Sequence, residues 1–172
     1  MKNIYLLGMP SSGKSTLGKQ LASSLGYSFK DMDKLIETRE QKTISEIFNT
    51  KGEEYFREIE KKVLNSFQKD EKVVIATGGG TPCFHDNMDF IKENGISIFL
   101  NVDVEDIAKR IYKSKDNNRP LLDKKNSEEI IKEEIKKTYE TRLPIYKQAD
   151  LQVDGEINVS QLEWILDSYL VN

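Results

Sequence analysis

The chain has little that would tie it to export, a membrane or a nucleic acid. Its 172 residues include one cysteine, one histidine, one tryptophan and four prolines. A single thiol, Cys83, cannot form an internal disulfide, which fits a protein of the reducing cytoplasm. Cys83 and His85 alone do not make a zinc set, and Asp86 beside them reads as a helix cap. No apolar run approaches the roughly 20 residues that span a bilayer. Ile4–Leu7, ahead of Gly8, is too short for the apolar region of an export signal, so no leader is expected. Positive charge is not in excess: 26 Lys and Arg against 29 Asp and Glu give a formal net charge of −3. That balance counts against nucleic acid as the main partner, though not against a local basic cleft. Repeats and low-complexity linkers are also missing. The length suits one domain, expected over residues 1–172.

What is present is an alternation. Short apolar runs at Ile4–Leu7, Tyr27–Phe29 with Met32, Val73–Ala76, Ile96–Val102 and Leu151–Val153 suit strands buried on both faces. Amphipathic stretches lie between them. They are Thr16–Leu25, a helix opened by the capping box Thr43-Ile44-Ser45-Glu46, Glu53–Phe67, Asp103–Tyr112, Ser127–Tyr146 and Val159–Leu170. Strand–helix alternation predicts an α/β domain with a mainly parallel sheet, and ligands at the carboxyl ends of its strands. Trp164 on the last stretch reads as core or partner surface, and the mixed charges of Lys132–Lys137 as a solvated helix face.

The loops after the strands carry the chemistry. Gly8-x-x-x-x-Gly13-Lys14-Ser15 matches the P-loop pattern between a strand and a helix. Its glycines let backbone N–H groups turn inward onto phosphate oxygens, and the following helix adds its positive end. Lys14 is placed to reach the terminal phosphates of a nucleoside triphosphate, and the Ser15 hydroxyl to ligate Mg²⁺. Asp31 and Asp33 close the second run; two apart, they share one side of a strand. One carboxylate would serve a cation, the other an acceptor hydroxyl, unless Asp33 simply caps the next helix. In Thr77-Gly78-Gly79-Gly80 three glycines open the backbone to a ligand. Spacing alone makes Arg57 and Glu60 an ordinary surface pair; a carboxylate clamp is the alternative. Asp116–Leu122 breaks two helical stretches, and its Arg119 is either a solvated hinge residue or a cation that closes over the triphosphate. Arg142 is open in the same way.

Taken in order, "GMPSSGKST", "DMD" (31–33), "FREIE" (56–60), "TGGG" (77–80), "RPLL" (119–122) and "TRLPIYKQAD" (141–150) resemble the shikimate kinases, small P-loop kinases of the nucleoside monophosphate kinase fold. The resemblance runs from Gly8 to Asp150. It implies a three-layer α/β/α fold with a five-stranded parallel sheet in the order 2-3-1-4-5. It also implies a substrate-binding region near residues 33–62 and a mobile lid near 112–125. The implied reaction moves the γ-phosphoryl of MgATP to the 3-hydroxyl of shikimate, in aromatic amino acid synthesis, in a cytoplasmic monomer. By the same resemblance Ser11, Ser12, Gly13, Lys14, Ser15, Thr16 and Arg119 hold ATP, and Ser15 with Asp31 organises Mg²⁺. Asp33, Arg57, Gly79 and Arg142 hold shikimate, while Asp33, Lys14 and Arg119 act on the transferred group. Pro10 and Ser11 stand where many relatives have methionine or glycine. No role follows for Thr81-Pro82-Cys83-Phe84, and nothing marks the residues that hold the base. The rival readings are a gluconate or nucleotide kinase of the same fold, or a non-catalytic nucleotide-binding module.

Overall fold

A computed structural model describes residues 2–114 and 128–171. Five strands, β1 (Asn3–Leu7), β2 (Ser28–Asp31), β3 (Val73–Ala76), β4 (Gly95–Asn101) and β5 (Leu151–Asp154), form one parallel sheet in the order 2-3-1-4-5. The central strand β1 pairs Ile4 with Val74 on one side and with Ile96 on the other.

The side chains of β1 alternate between two cores, because successive residues of a strand point to opposite faces. Tyr5 and Leu7 enter one core with the helices α2 (Met32–Glu40), α3 (Ile44–Leu64), α4 (Asn87–Asn94), α5 (Val104–Lys113) and α6 (Glu128–Tyr146). Ile4 and Leu6 enter the other with α1 (Lys14–Leu25) and α7 (Val159–Val171). The result is the expected three-layer α/β/α arrangement. The expectation of strands buried on both faces holds for β1, β3 and β4. It fails at β2 and β5, the two edge strands, where exposed residues alternate with half-buried or buried ones.

The capping box forms in full: the Thr43 hydroxyl accepts from Glu46 N, and Glu46 Oε2 accepts from Thr43 N at 2.7 Å. Gly52, at φ 82°, then breaks α3 into the two stretches read from the sequence. Trp164 stays 72% exposed on α7, so it is not a core residue. Among the described residues no helix is long and apolar enough to cross a membrane. Arg119, the rest of "RPLL" and most of the expected lid lie outside the described residues.

Candidate active site

All five strands point their carboxyl ends the same way, so the loops after β1, β2 and β3 meet at one edge of the sheet. There they line an open cleft of about 750 Å³ together with α3 and α6. Ser11, Gly13, Lys14, Ser15, Thr16, Asp31, Asp33, Arg57, Gly79 and Arg142 all line it. Ser12 instead borders a smaller adjoining pocket of about 190 Å³, while its hydroxyl lies near the Lys14 ammonium.

The loop after β1 is built by its own backbone. Ser12 N donates to Met9 O at 3.2 Å. Gly13 takes φ 93° at the N-cap of α1, a conformation that a side chain disfavours. Ser11 also takes positive φ, 64°, without being glycine. Lys14 is buried, and its Nζ donates to Gly8 O at 3.0 Å and Met9 O at 2.8 Å. Its ammonium is thus already inside the ring of the loop. Ser15 Oγ donates to Asp31 Oδ2 at 2.5 Å, joining the loop to the end of β2.

The two aspartates are not strand neighbours, as the sequence spacing suggests. Asp31 ends β2 and caps α2, accepting from Lys34 N, while Asp33 lies in the first turn of that helix. Both still face the cleft. Asp33 is open to cleft water yet crowded by protein on most sides. That desolvation, helped by the negative charges of Asp31, Glu60 and Glu37 and opposed by Lys14, pushes its carboxyl up to about 6.

The Arg57–Glu60 pair is not the surface pair that spacing alone favours. Arg57 is 6% and Glu60 1% exposed. Arg57 Nη1 donates to Glu60 Oε2 at 2.9 Å, while Nη2 and Nε reach Glu53 at 3.0 and 3.2 Å. Buried charges need such pairing, since desolvation otherwise costs several kcal/mol per ion. The three glycines after β3 make room for these groups. A Cβ on Gly78 would stand 2.8 Å from Glu60 Oε1 and 2.9 Å from Asp33 Oδ1. One on Gly79 would stand 2.7 Å from Pro10 Cδ and 3.0 Å from Arg142 Nη1, and one on Gly80 2.7 Å from Arg57 Nη1. Arg142, on α6, thus lies against Gly79, and the Tyr146 hydroxyl one turn later donates to Gly79 O. Burial raises the Tyr146 phenol, so it stays protonated as that donor.

Two groups carry no local signal in the sequence. Arg110, on α5, donates to Ser11 O at 3.0 Å and pairs with Glu156, bridging the phosphate loop and the turn after β5. It borders both the cleft and the smaller pocket. The other is Phe84, whose ring lies 3.9 Å from the Arg57 guanidinium carbon. Cys83, next to it, is pushed up to about 11 by burial and remains a thiol.

A P-loop at the carboxyl edge of a parallel sheet, facing a cleft wall of two arginines and a carboxylate, has the layout of a P-loop phosphotransferase. The chain belongs to the shikimate kinase family, whose pattern it matches over residues 10–170. It is 44% identical to the shikimate kinase of Parabacteroides distasonis over 91% of this chain and 89% of that one. The crystal structure of shikimate kinase from Bacteroides thetaiotaomicron superposes with a TM-score of 0.89 at 36% identity, covering 96% of this chain and 98% of that one. Shikimate kinase from Acinetobacter baumannii, in complex with shikimate, also gives 0.89, at 35% identity over 100% and 94% of the two chains.

Proposed function

We propose that the chain transfers the γ-phosphoryl of MgATP to the 3-hydroxyl of shikimate, giving shikimate 3-phosphate and ADP. The observation that carries this reading is the meeting of Arg57, Arg142 and Asp33 in the cleft that Lys14 enters. Two guanidinium groups suit a planar carboxylate, and a carboxylate suits an acceptor hydroxyl. Membership of the shikimate kinase family supports the acceptor's identity.

In this reading the loop amides and Lys14 hold the ATP phosphates. The Ser15 hydroxyl and the Asp31 carboxylate are hard oxygen donors 2.5 Å apart, a pair that fits Mg²⁺ with phosphate oxygens and waters completing its shell. The ion would neutralise phosphate charge as the transferring group separates. Arg57 and Arg142 grip the shikimate carboxylate, while Gly79 N–H and Asp33 hold its hydroxyls. Gly79 packs against Pro10, so the acceptor pocket abuts the phosphate loop. Asp33 is ionised above about pH 6 and then orients the 3-hydroxyl and takes its proton. The base of ATP is assigned to the smaller pocket between Arg110 and Gly155–Ile157. The acceptor side is taken up by charged groups, and this pocket lies at the other end of the same loop. Arg119 belongs to the same reading as the cation that closes on the phosphates. The protein would work as a single-domain cytoplasmic monomer, with substrate-binding region and lid as outlined from the sequence.

A coupled assay of ADP release with MgATP tests this, adding shikimate, gluconate, CMP and AMP one at a time. Turnover with shikimate alone is expected. Turnover with another acceptor and none with shikimate would remove the roles given to Arg57 and Arg142.

A further inference from the structure

The stretch Thr81-Pro82-Cys83-Phe84, which belongs to no recognised motif of the sequence, reaches the Arg57–Glu60 pair at both ends: Thr81 bonds Glu60 and Phe84 lies on Arg57. We propose that Thr81 and Phe84 are positioning residues that fix the Arg57 guanidinium for the acceptor's carboxylate, Thr81 through Glu60 and Phe84 by direct stacking. The inference rests on the proposed function, since it concerns the grip on the acceptor.

Thr81 is fully buried, in a short 3-10 turn over Thr81–Cys83. Its position is set by backbone: Thr81 N donates to Gly78 O at 3.1 Å, Cys83 N to Gly80 O at 2.9 Å, and Asn87 Nδ2 to Thr81 O at 2.8 Å. From this fixed point the Thr81 hydroxyl donates to Glu60 Oε1 at 2.6 Å. The other oxygen of that carboxylate, Oε2, accepts from Arg57 Nη1 at 2.9 Å. A buried carboxylate held by one arginine alone remains free to turn about its last torsion. Held at both oxygens, its plane is set, and so is the direction from which it holds the guanidinium.

Phe84 acts on the same group from a different side. Its ring centroid stands 3.9 Å from the guanidinium carbon, against 5.1 Å for Phe56. A cation this close to an aromatic face is held in its plane as well as attracted. Gly80 completes the arrangement, because any Cβ there would push Nη1 away. A single seven-residue stretch, Gly78–Phe84, therefore both admits the arginine and orients it.

The test compares T81V, T81S and F84L with the wild-type chain by ADP release, reading KM for shikimate, KM for ATP and kcat separately. Thr81→Val keeps the shape and removes the donor, leaving Glu60 Oε1 buried and unpaired. It is expected to raise the shikimate KM about tenfold, as for the loss of one hydrogen bond to a charged group, with kcat and ATP KM within about twofold. Thr81→Ser is expected to restore the wild-type KM, and Phe84→Leu to raise it roughly three- to tenfold, between the scales of an exposed and a desolvated cation–π contact, since Arg57 is buried and the ring half-buried. If T81V does not fold, F84L decides alone, since its ring is only half-buried. An unchanged shikimate KM in the folded variants overturns the proposal, as does a common rise in both KM values that Thr81→Ser fails to reverse. A wild-type chain inactive on shikimate overturns the proposed function and this inference together.

Discussion

The phosphate loop and the acceptor wall face each other across one cleft but are held in opposite ways. The loop is held mostly by its own main chain, with Ser15–Asp31 and Arg110–Ser11 as its ties to the rest of the fold. Lys14 is fixed by the carbonyls of Gly8 and Met9, six and five residues away, and Ser12 N by Met9 O. The acceptor wall is assembled from distant pieces: Thr81 bonds Glu60 across 21 residues, and Tyr146 bonds Gly79 across 67. Backbone atoms do most of the work on one side, paired side chains on the other. A phosphate site made of main chain tolerates changes elsewhere in the fold. An acceptor site made of buried charges does not, because each charge depends on the one that neutralises it. Variants should therefore separate the two substrates cleanly when they strike the wall, and fail to separate them only where the halves touch.

The largest separation is expected at Asp33. Asp33→Asn should lower kcat by roughly 10³-fold, within the range of general-base contributions, while nucleotide affinity by titration calorimetry stays near wild type. The same variant should be more stable than wild type without ligands. A carboxyl raised from 3.8 to about 6 binds its proton more tightly folded than unfolded, so stability falls as pH rises from about 4 through about 6. Cleft water screens part of that cost, leaving on the order of 1 kcal/mol above pH 7. The melting temperatures of the two proteins should diverge across that window and meet near pH 4. In the wild type kcat/KM for shikimate should fall below about pH 6, as the carboxylate is lost. Substantial turnover in Asp33→Asn would strip Asp33 of its proposed role.

Gly79 is where the comparison should break. A Cβ there meets Pro10 of the phosphate loop at 2.7 Å and Arg142 of the wall at 3.0 Å. Pro10 is rigid, so the backbone has to shift. Gly79→Ala should cost on the order of 10² in turnover, the scale of a misplacement near 1 Å, and raise both KM values. A rise for shikimate alone would show that the loop yields without loss and that the halves are less coupled than their packing indicates.

Arg142→Lys should restore the separation. A point charge replaces a planar fork, and the loss of one charge-assisted bond corresponds to roughly 10- to 100-fold in shikimate KM, with ATP KM unchanged. Equal losses for both substrates would place Arg142 in the fold or the closure of the site instead.

The same contrast governs what could be read from the sequence. The phosphate loop was legible because its geometry is local: Gly13, Lys14 and Ser15 do their work within one turn of chain. The parallel α/β class follows from the alternation of apolar runs and helical stretches, whereas strand order and layers came only through the resemblance; the edge character of β2 and β5 is visible only once their neighbours are known. Of the acceptor wall, Asp33 and the three glycines carried a local signal, while the parts of Arg57 and Arg142 were legible only through resemblance. Nothing in the spacing of Arg57 and Glu60 separates a solvated pair from a buried one; Thr81 and Phe84, far along the chain, decide that. The two-residue spacing of Asp31 and Asp33 suggests one strand because the break between β2 and α2 falls between them, with no proline or glycine to mark it. Arg110 has no motif at all; its partners are Ser11, 99 residues before it, and Glu156, 46 after.

The smallest effect expected lies in the loop itself, at its one departure from conformational ease. Ser11 sits at φ 64°, where a side chain costs roughly 1–2 kcal/mol relative to a residue without Cβ. Ser11→Gly relieves that strain but adds about 0.5–1 kcal/mol of chain entropy to be lost on folding. The net gain should lie between about 0 and 1.5 kcal/mol, a rise of a few degrees at most in melting temperature for a chain of this size. Its carbonyl, which accepts from Arg110, is kept by the substitution, so both KM values should hold. A loss of ATP affinity without loss of stability would mean that the serine side chain, and not only the backbone around it, contributes to the phosphate site. The loop would then share the dependence on side chains that marks the acceptor wall.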